Sequence, residues 1–218
     1  MQRIAAILLI VGALIFAGAV FSPPIFNVFS VSDPVQQLDV IEQNLMGWRV
    51  ANAFLAIGAT LVVAGIMVLA RHLTSLNDSN QLRWTAYAAA ALVILGGLLW
   101  LVVQFDRMTR SPEDIISGQP LGGEWVFIVY VLSTLAGMIV LGYAMLRAGY
   151  PRWLGWGCIL VFGYTLAHAV LTQDWVPLEW YIDTFVLGIA LLFAKPRIVT
   201  EVAGRGARVA PAPADSDI

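Results

Sequence analysis

Cysteine is nearly missing from this sequence, and charge is scarce. The one cysteine, Cys158, lies inside an apolar run, which excludes an intrachain disulfide and a cysteine-based zinc cage. In that setting it reads as a small buried hydrophobe. Only 12% of the 218 residues are charged, about half of the roughly 25% usual in a soluble domain. Acids and bases nearly balance, with a formal net charge of -2. The chain therefore lacks the polybasic footprint that grips phosphate backbones, and no nucleic-acid partner is expected. H-E-x-x-H, Walker A and Rossmann glycine patterns are also absent, and no cofactor is implied.

What is present is apolar length. Apolar residues make up 60% of the chain, and runs long enough to cross a bilayer fall at 4–21, 50–70, 84–103, 125–146, 153–171 and 176–194. The last is interrupted by Glu179 and Asp183. The expected fold is an all-α integral membrane bundle of six transmembrane helices, one domain over 1–197. The tail from 198 to 218 is rich in Gly, Ala, Pro and charge and is expected to be disordered. All ten prolines fall in loops, in the tail or at span ends, so no span should kink. The first run, with Arg3 ahead of it and Ala17-Gly18-Ala19 behind, has the outline of a cleaved signal peptide, but it exceeds the usual core of about 7 to 15 residues.

Orientation follows from lysine and arginine. With the N-terminus inside, the cytoplasmic segments hold nine (Arg3, Arg71, Arg83, Arg147, Arg152, Lys195, Arg197, Arg205, Arg208) and the outer ones three (Arg49, Arg107, Arg110). Both termini are then cytoplasmic, in a plasma membrane of prokaryotic inner-membrane type. Tryptophans at span ends, Trp48, Trp84, Trp125, Trp153, Trp156, Trp175 and Trp180, fit aromatic belts. Within the long first outer loop, Asp33 as N-cap, Pro34, Gln36 and a terminal Gly47 mark a short interfacial helix at about 34–46, with Val35, Leu38, Ile41 and Leu45 on one face. The rows Ala56-x3-Thr60-x3-Ala64, Ser133-x3-Gly137 and Gly163-x3-Ala167 suit close helix packing.

Polar residues at membrane depth carry the chemistry. His168, six residues before Asp174, lies roughly 9 Å inside the outer boundary, and Asp183 falls at similar depth on the next, antiparallel helix. The two are expected to meet, as an ion pair or as two neutral groups, with Tyr164 one turn from His168. Such a pair serves as a proton or ligand site, or as a structural clasp. Around it Arg49, Asn52, Gln104, Asp106, Glu124, Gln173 and Asp174 compose an outer polar layer. Arg49 reads as a salt bridge to Asp106 or Glu124, or as a seat for an anionic group. No metal site is expected.

With so little chemistry, the leading expectation is a non-catalytic scaffold or accessory subunit of a membrane complex, whose partners are lipid, further copies of itself or other subunits. The alternative is a small proton-linked carrier or cation channel using His168 and Asp183. An intramembrane hydrolase using Ser133 and His168 comes third, because Ser133 lacks a G-x-S-x-G setting.

Overall fold

The computed structural model describes residues 1–117, 124–173 and 178–196. Within them every element is helical: α1 (Gln2–Val20), α2 (Pro23–Ser30), α3 (Pro34–Gln43), α4 (Leu45–Leu76), α5 (Asn80–Thr109), α6 (Pro112–Ser117), α7 (Glu124–Arg147), α8 (Arg152–Thr172) and α9 (Leu178–Phe193). Five of these, α1, α4, α5, α7 and α8, are long and apolar enough to cross a membrane. Helix α9 has 16 residues, about 24 Å at the α-helical rise, and is shorter than the apolar run at 176–194. The expected tail at 198–218 lies outside the described residues.

Helices α4 and α5 run to 32 and 30 residues, well past the expected 50–70 and 84–103. Polarity marks where a run stops being apolar, whereas the backbone goes on satisfying its own hydrogen bonds until a cap or breaker intervenes. At the start of α4 that signal is Asn44, whose Oδ1 accepts from the Gly47 amide at 3.1 Å. Gly47 therefore sits in the first turn of α4 and does not end the preceding helix. In α3 the Asp33 carboxylate accepts from the Val35 amide at 3.2 Å, and Ile41 is buried while Val35 stays exposed. Pro23 and Pro112 open α2 and α6, two short helices where loops were expected, because proline at a first helical position surrenders an amide that has no partner anyway.

Six helices form a ring in the order α1, α4, α5, α7, α8, α9, with α9 closing back onto α1. Its α8–α9 seam is the thinnest. Gln2 of α1 donates to the carbonyls of Leu191 and Ala194, and Phe16 stacks on Tyr181 with ring centroids 3.4 Å apart, so α1 and α9 are antiparallel. The N-terminus, the 77–79 turn and Ala194 share one end, the turn end. Helices α2, α3 and α6 lie at the other, the capped end.

Backbones touch where glycines face each other. A Cβ on Gly12 would stand 2.8 Å from the Gly58 carbonyl, and one on Gly142 would stand 2.9 Å from the Gly155 carbonyl. Of the expected small-residue rows, Ser133 and Gly137 lie in the α5–α7 seam, whereas Thr60 is exposed and a Cβ on Gly163 would touch nothing. Aromatic rings fill the ring's interior toward the capped end: Trp100 stacks on Tyr130 at 4.8 Å, and Trp180 on Tyr181 at 3.8 Å. Trp48 and Trp180 are accordingly core residues and not belt anchors. The Trp48 indole donates to the Arg107 carbonyl at 3.2 Å, while Trp84, Trp125, Trp153 and Trp156 stay exposed.

Candidate functional site

The α8–α9 seam brings four polar side chains together, Thr165 and His168 from α8 with Glu179 and Asp183 from α9. Thr165 and His168 stand one turn apart on α8, and Glu179 and Asp183 one turn apart on α9, so antiparallel packing makes two rungs. In the upper rung His168 Nδ1 lies 3.8 Å from Glu179 Oε2. In the lower, Thr165 Oγ1 donates to Asp183 Oδ2 at 3.1 Å and also lies 3.1 Å from the Val161 carbonyl. His168 and Asp183 thus share one seam but take different partners, one helical turn out of the expected register. Tyr164 stacks on His168 with centroids 6.1 Å apart and is largely exposed.

This lower rung works in both protonation states. An ionised Asp183 accepts the Thr165 hydroxyl; a protonated one donates to Thr165 Oγ1, leaving that hydroxyl to donate to Val161 O. Thr165 is seven residues, roughly 10 Å, from the end of α8; in a bilayer an isolated carboxylate costs on the order of 3 kcal/mol at the helix centre and less toward the helix ends. The rung faces an open groove of about 420 Å³ lined by Leu160, Val161, Tyr164, Thr165, Glu179, Ile182 and Asp183. A further cavity of about 170 Å³ continues from Val161 and Asp183 toward the turn end, walled by Leu154, Phe162, Val186 and Leu187 with Gly157 and Cys158. Below Asp183 the described lining is apolar apart from the thiol. The sequence reading missed Thr165 and Glu179; their signal was spacing, one turn before His168 and one turn before Asp183.

The outer polar layer is scattered. Asp106 is buried and pairs at 2.7 Å with Arg110, the C-cap of its own helix, so one of the two carboxylates expected for Arg49 is engaged elsewhere; the Glu124 side chain lies outside the described residues, and Arg49 is exposed. Glu124 opens α7, and Asp174 lies outside the described residues. Gln173 ends α8 in the left-handed region, φ 57°, its amide donating to Val170 O at 2.8 Å. Asn52 and Gln104 are fully buried. Asn52 donates to Trp48 O at 2.8 Å, but its own oxygen and both amide atoms of Gln104 have no hydrogen-bond partner among the described residues. Ser133 donates to Tyr130 O at 3.1 Å between α5 and α7, away from the seam that holds His168. In the turn between α7 and α8, burial pushes the Tyr150 phenol above its ordinary range.

The fold and the seam define an all-helical bundle with membrane-length helices and an ionisable groove in its side wall. Searches against protein-family models, curated proteins and solved structures found no match to the chain.

Proposed function

We propose that this chain is a six-span integral membrane protein of a prokaryotic-type plasma membrane and a non-catalytic scaffold or accessory subunit of a membrane complex. Residues 1–197 form its one transmembrane domain, α9 is the sixth span, both termini are cytoplasmic, and α2, α3 and α6 lie outside. Support for the topology comes from the bias of the described basic residues, six toward the turn end (Arg3, Arg71, Arg83, Arg147, Arg152 and Lys195) against three toward the capped end, and from the antiparallel packing of α9 on α1. The observation that carries the function is the groove. The interior is packed with aromatic rings, whereas Asp183 opens sideways at bilayer depth, where other membrane components move. Native mass spectrometry of the chain extracted gently from its own membrane tests this. A defined complex with another protein is the expected result, and a bare monomer would sink the accessory role.

A proton-linked carrier or cation channel built on His168 and Asp183 is the second reading, favoured by the two-state Thr165–Asp183 rung. Against conduction stands the apolar lining below Asp183. Proton flux in proteoliposomes decides: flux abolished by both Asp183→Asn and His168→Ala in folded protein supports a carrier, and flux indifferent to both removes it. The hydrolase has no support in the geometry, since Ser133 and His168 occupy different seams.

A further inference from the structure

We propose that the α8–α9 groove is the seat of a transmembrane helix from another protein, one bearing a lysine or arginine at the depth of Asp183. The proposal rests on the accessory-subunit reading and names its partner's chemistry.

Apolar walls alone mark nothing in a bilayer, where exposed Leu160, Ile182 and Val186 are at home among acyl chains. What lipid does not satisfy is the carboxylate. Asp183 has one neutral hydroxyl beside it, and Glu179, one turn above, adds a second acid, to which His168 is paired at 3.8 Å. The remaining ionisable groups on the described lining are the exposed Tyr164 phenol and the buried Cys158 thiol, neither of which supplies a positive charge. The groove therefore complements a cation, and an intramembrane carboxylate is stabilised best by a basic partner that brings its own charge.

Shape selects the form of that cation. The two cavities share Val161 and Asp183 and run from the level of Glu179 to that of Ala190, roughly 16 Å along the helix axis. A small lipophilic cation would fill only the Asp183 end and leave about seven residues of apolar groove, roughly 10 Å, to lipid. In the floor of that lower stretch stands Gly157, where an added Cβ would meet nothing within 4 Å. That space admits the close backbone approach by which membrane helices associate. A second copy of this chain is the wrong occupant. Two-fold packing on this groove sets Asp183 against Asp183, and the arginines of α4, α5, α7 and α8 sit near helix ends, away from that depth.

Model helices test the seat. The intact chain, labelled through an introduced Ser30→Cys, is reconstituted in lipid vesicles with acceptor-labelled transmembrane peptides of leucine and alanine. One is plain, one carries a single lysine about 10 Å below its outer end, and one carries a glutamate there. Energy transfer is expected to reach half-saturation at a peptide density at least about tenfold lower for the lysine helix than for the plain one, with the glutamate helix weakest. Asp183→Asn should bring lysine and plain helices within about twofold of each other, and Gly157→Leu, which fills the floor without touching the rung, should weaken both. Equal association of plain and lysine helices, a lysine preference that survives Asp183→Asn, or indifference to Gly157→Leu overturns the proposal. So does saturable, Asp183-dependent binding of tetraphenylphosphonium without a lysine-helix preference, which assigns the groove to a small cation. The two readings fail separately. A native complex unchanged by Asp183→Asn keeps the accessory role and loses this seat; a lysine-helix preference in a chain that is solitary in its own membrane keeps the seat and loses the role.

Discussion

Gln104 stands in an environment at odds with its chemistry, fully buried with neither amide atom partnered among the described residues. The Trp100 indole, one turn along α5, and the hydroxyls of Tyr130 and Tyr181 are likewise buried without a hydrogen-bond partner among the described residues. Leaving a buried polar group unsatisfied costs about 1–3 kcal/mol. Gln104→Leu, close in volume, should therefore stabilise the fold, raising Tm by roughly 2–4 °C per kcal/mol recovered in a chain of this size. A thermal melt in detergent checks it, and a lower Tm would mean that Gln104 holds a partner. Cys158 makes the opposite case. Its burial was legible from the apolar run around it, and the thiol donates to Met138 O at 3.3 Å in the α7–α8 seam. Maleimide should leave the native protein unlabelled and modify it stoichiometrically after denaturation; rapid labelling of native protein would contradict the packing.

Among elements, the existence of the long helices was readable and their contacts were not. Apolar runs announce a helix through length alone, because a backbone in lipid must satisfy its own hydrogen bonds. Yet a helix that is apolar on every side has no hydrophobic stripe to say which way it faces. That is why Ala56, Thr60 and Ala64 looked like a packing row while Gly12 and Gly58 make the contact. Gly58→Leu should cost at least about 1–3 kcal/mol by forcing α1 and α4 apart. Gly163→Ala, on the open face of α8, should be neutral or stabilise by about 0.5–1 kcal/mol through helix propensity. Equilibrium unfolding of the two variants side by side separates a backbone contact from a surface glycine, and equal effects would refute the assignment. The same missing stripe explains the seam: hydropathy placed His168 and Asp183 at similar depth, but only the α8–α9 packing pairs His168 with Glu179 and Asp183 with Thr165.

At the scale of the whole molecule, the ring brings the N-terminus, the 77–79 turn and Ala194 to one end and α2, α3 and α6 to the other. In a Cys158→Ala background, a membrane-impermeant thiol reagent on intact cells should label Asn27→Cys in α2 and reach Asp78→Cys only after permeabilisation; the reverse pattern would invert the proposed topology. By itself the sequence determined that the chain is helical and carries apolar runs of membrane length, six by its own count, of which five form helices long and apolar enough to cross a membrane, and that few of its residues are charged. Those properties depend on composition and run length, which are local. Tertiary structure alone decided the order of helices around the ring, the interior stack of Phe16, Trp100, Tyr130, Trp180 and Tyr181, and the lateral groove at Asp183. Each of these depends on how a helix is rotated about its axis, and a nearly uniform apolar surface leaves that rotation to the fit of side chains between neighbouring helices.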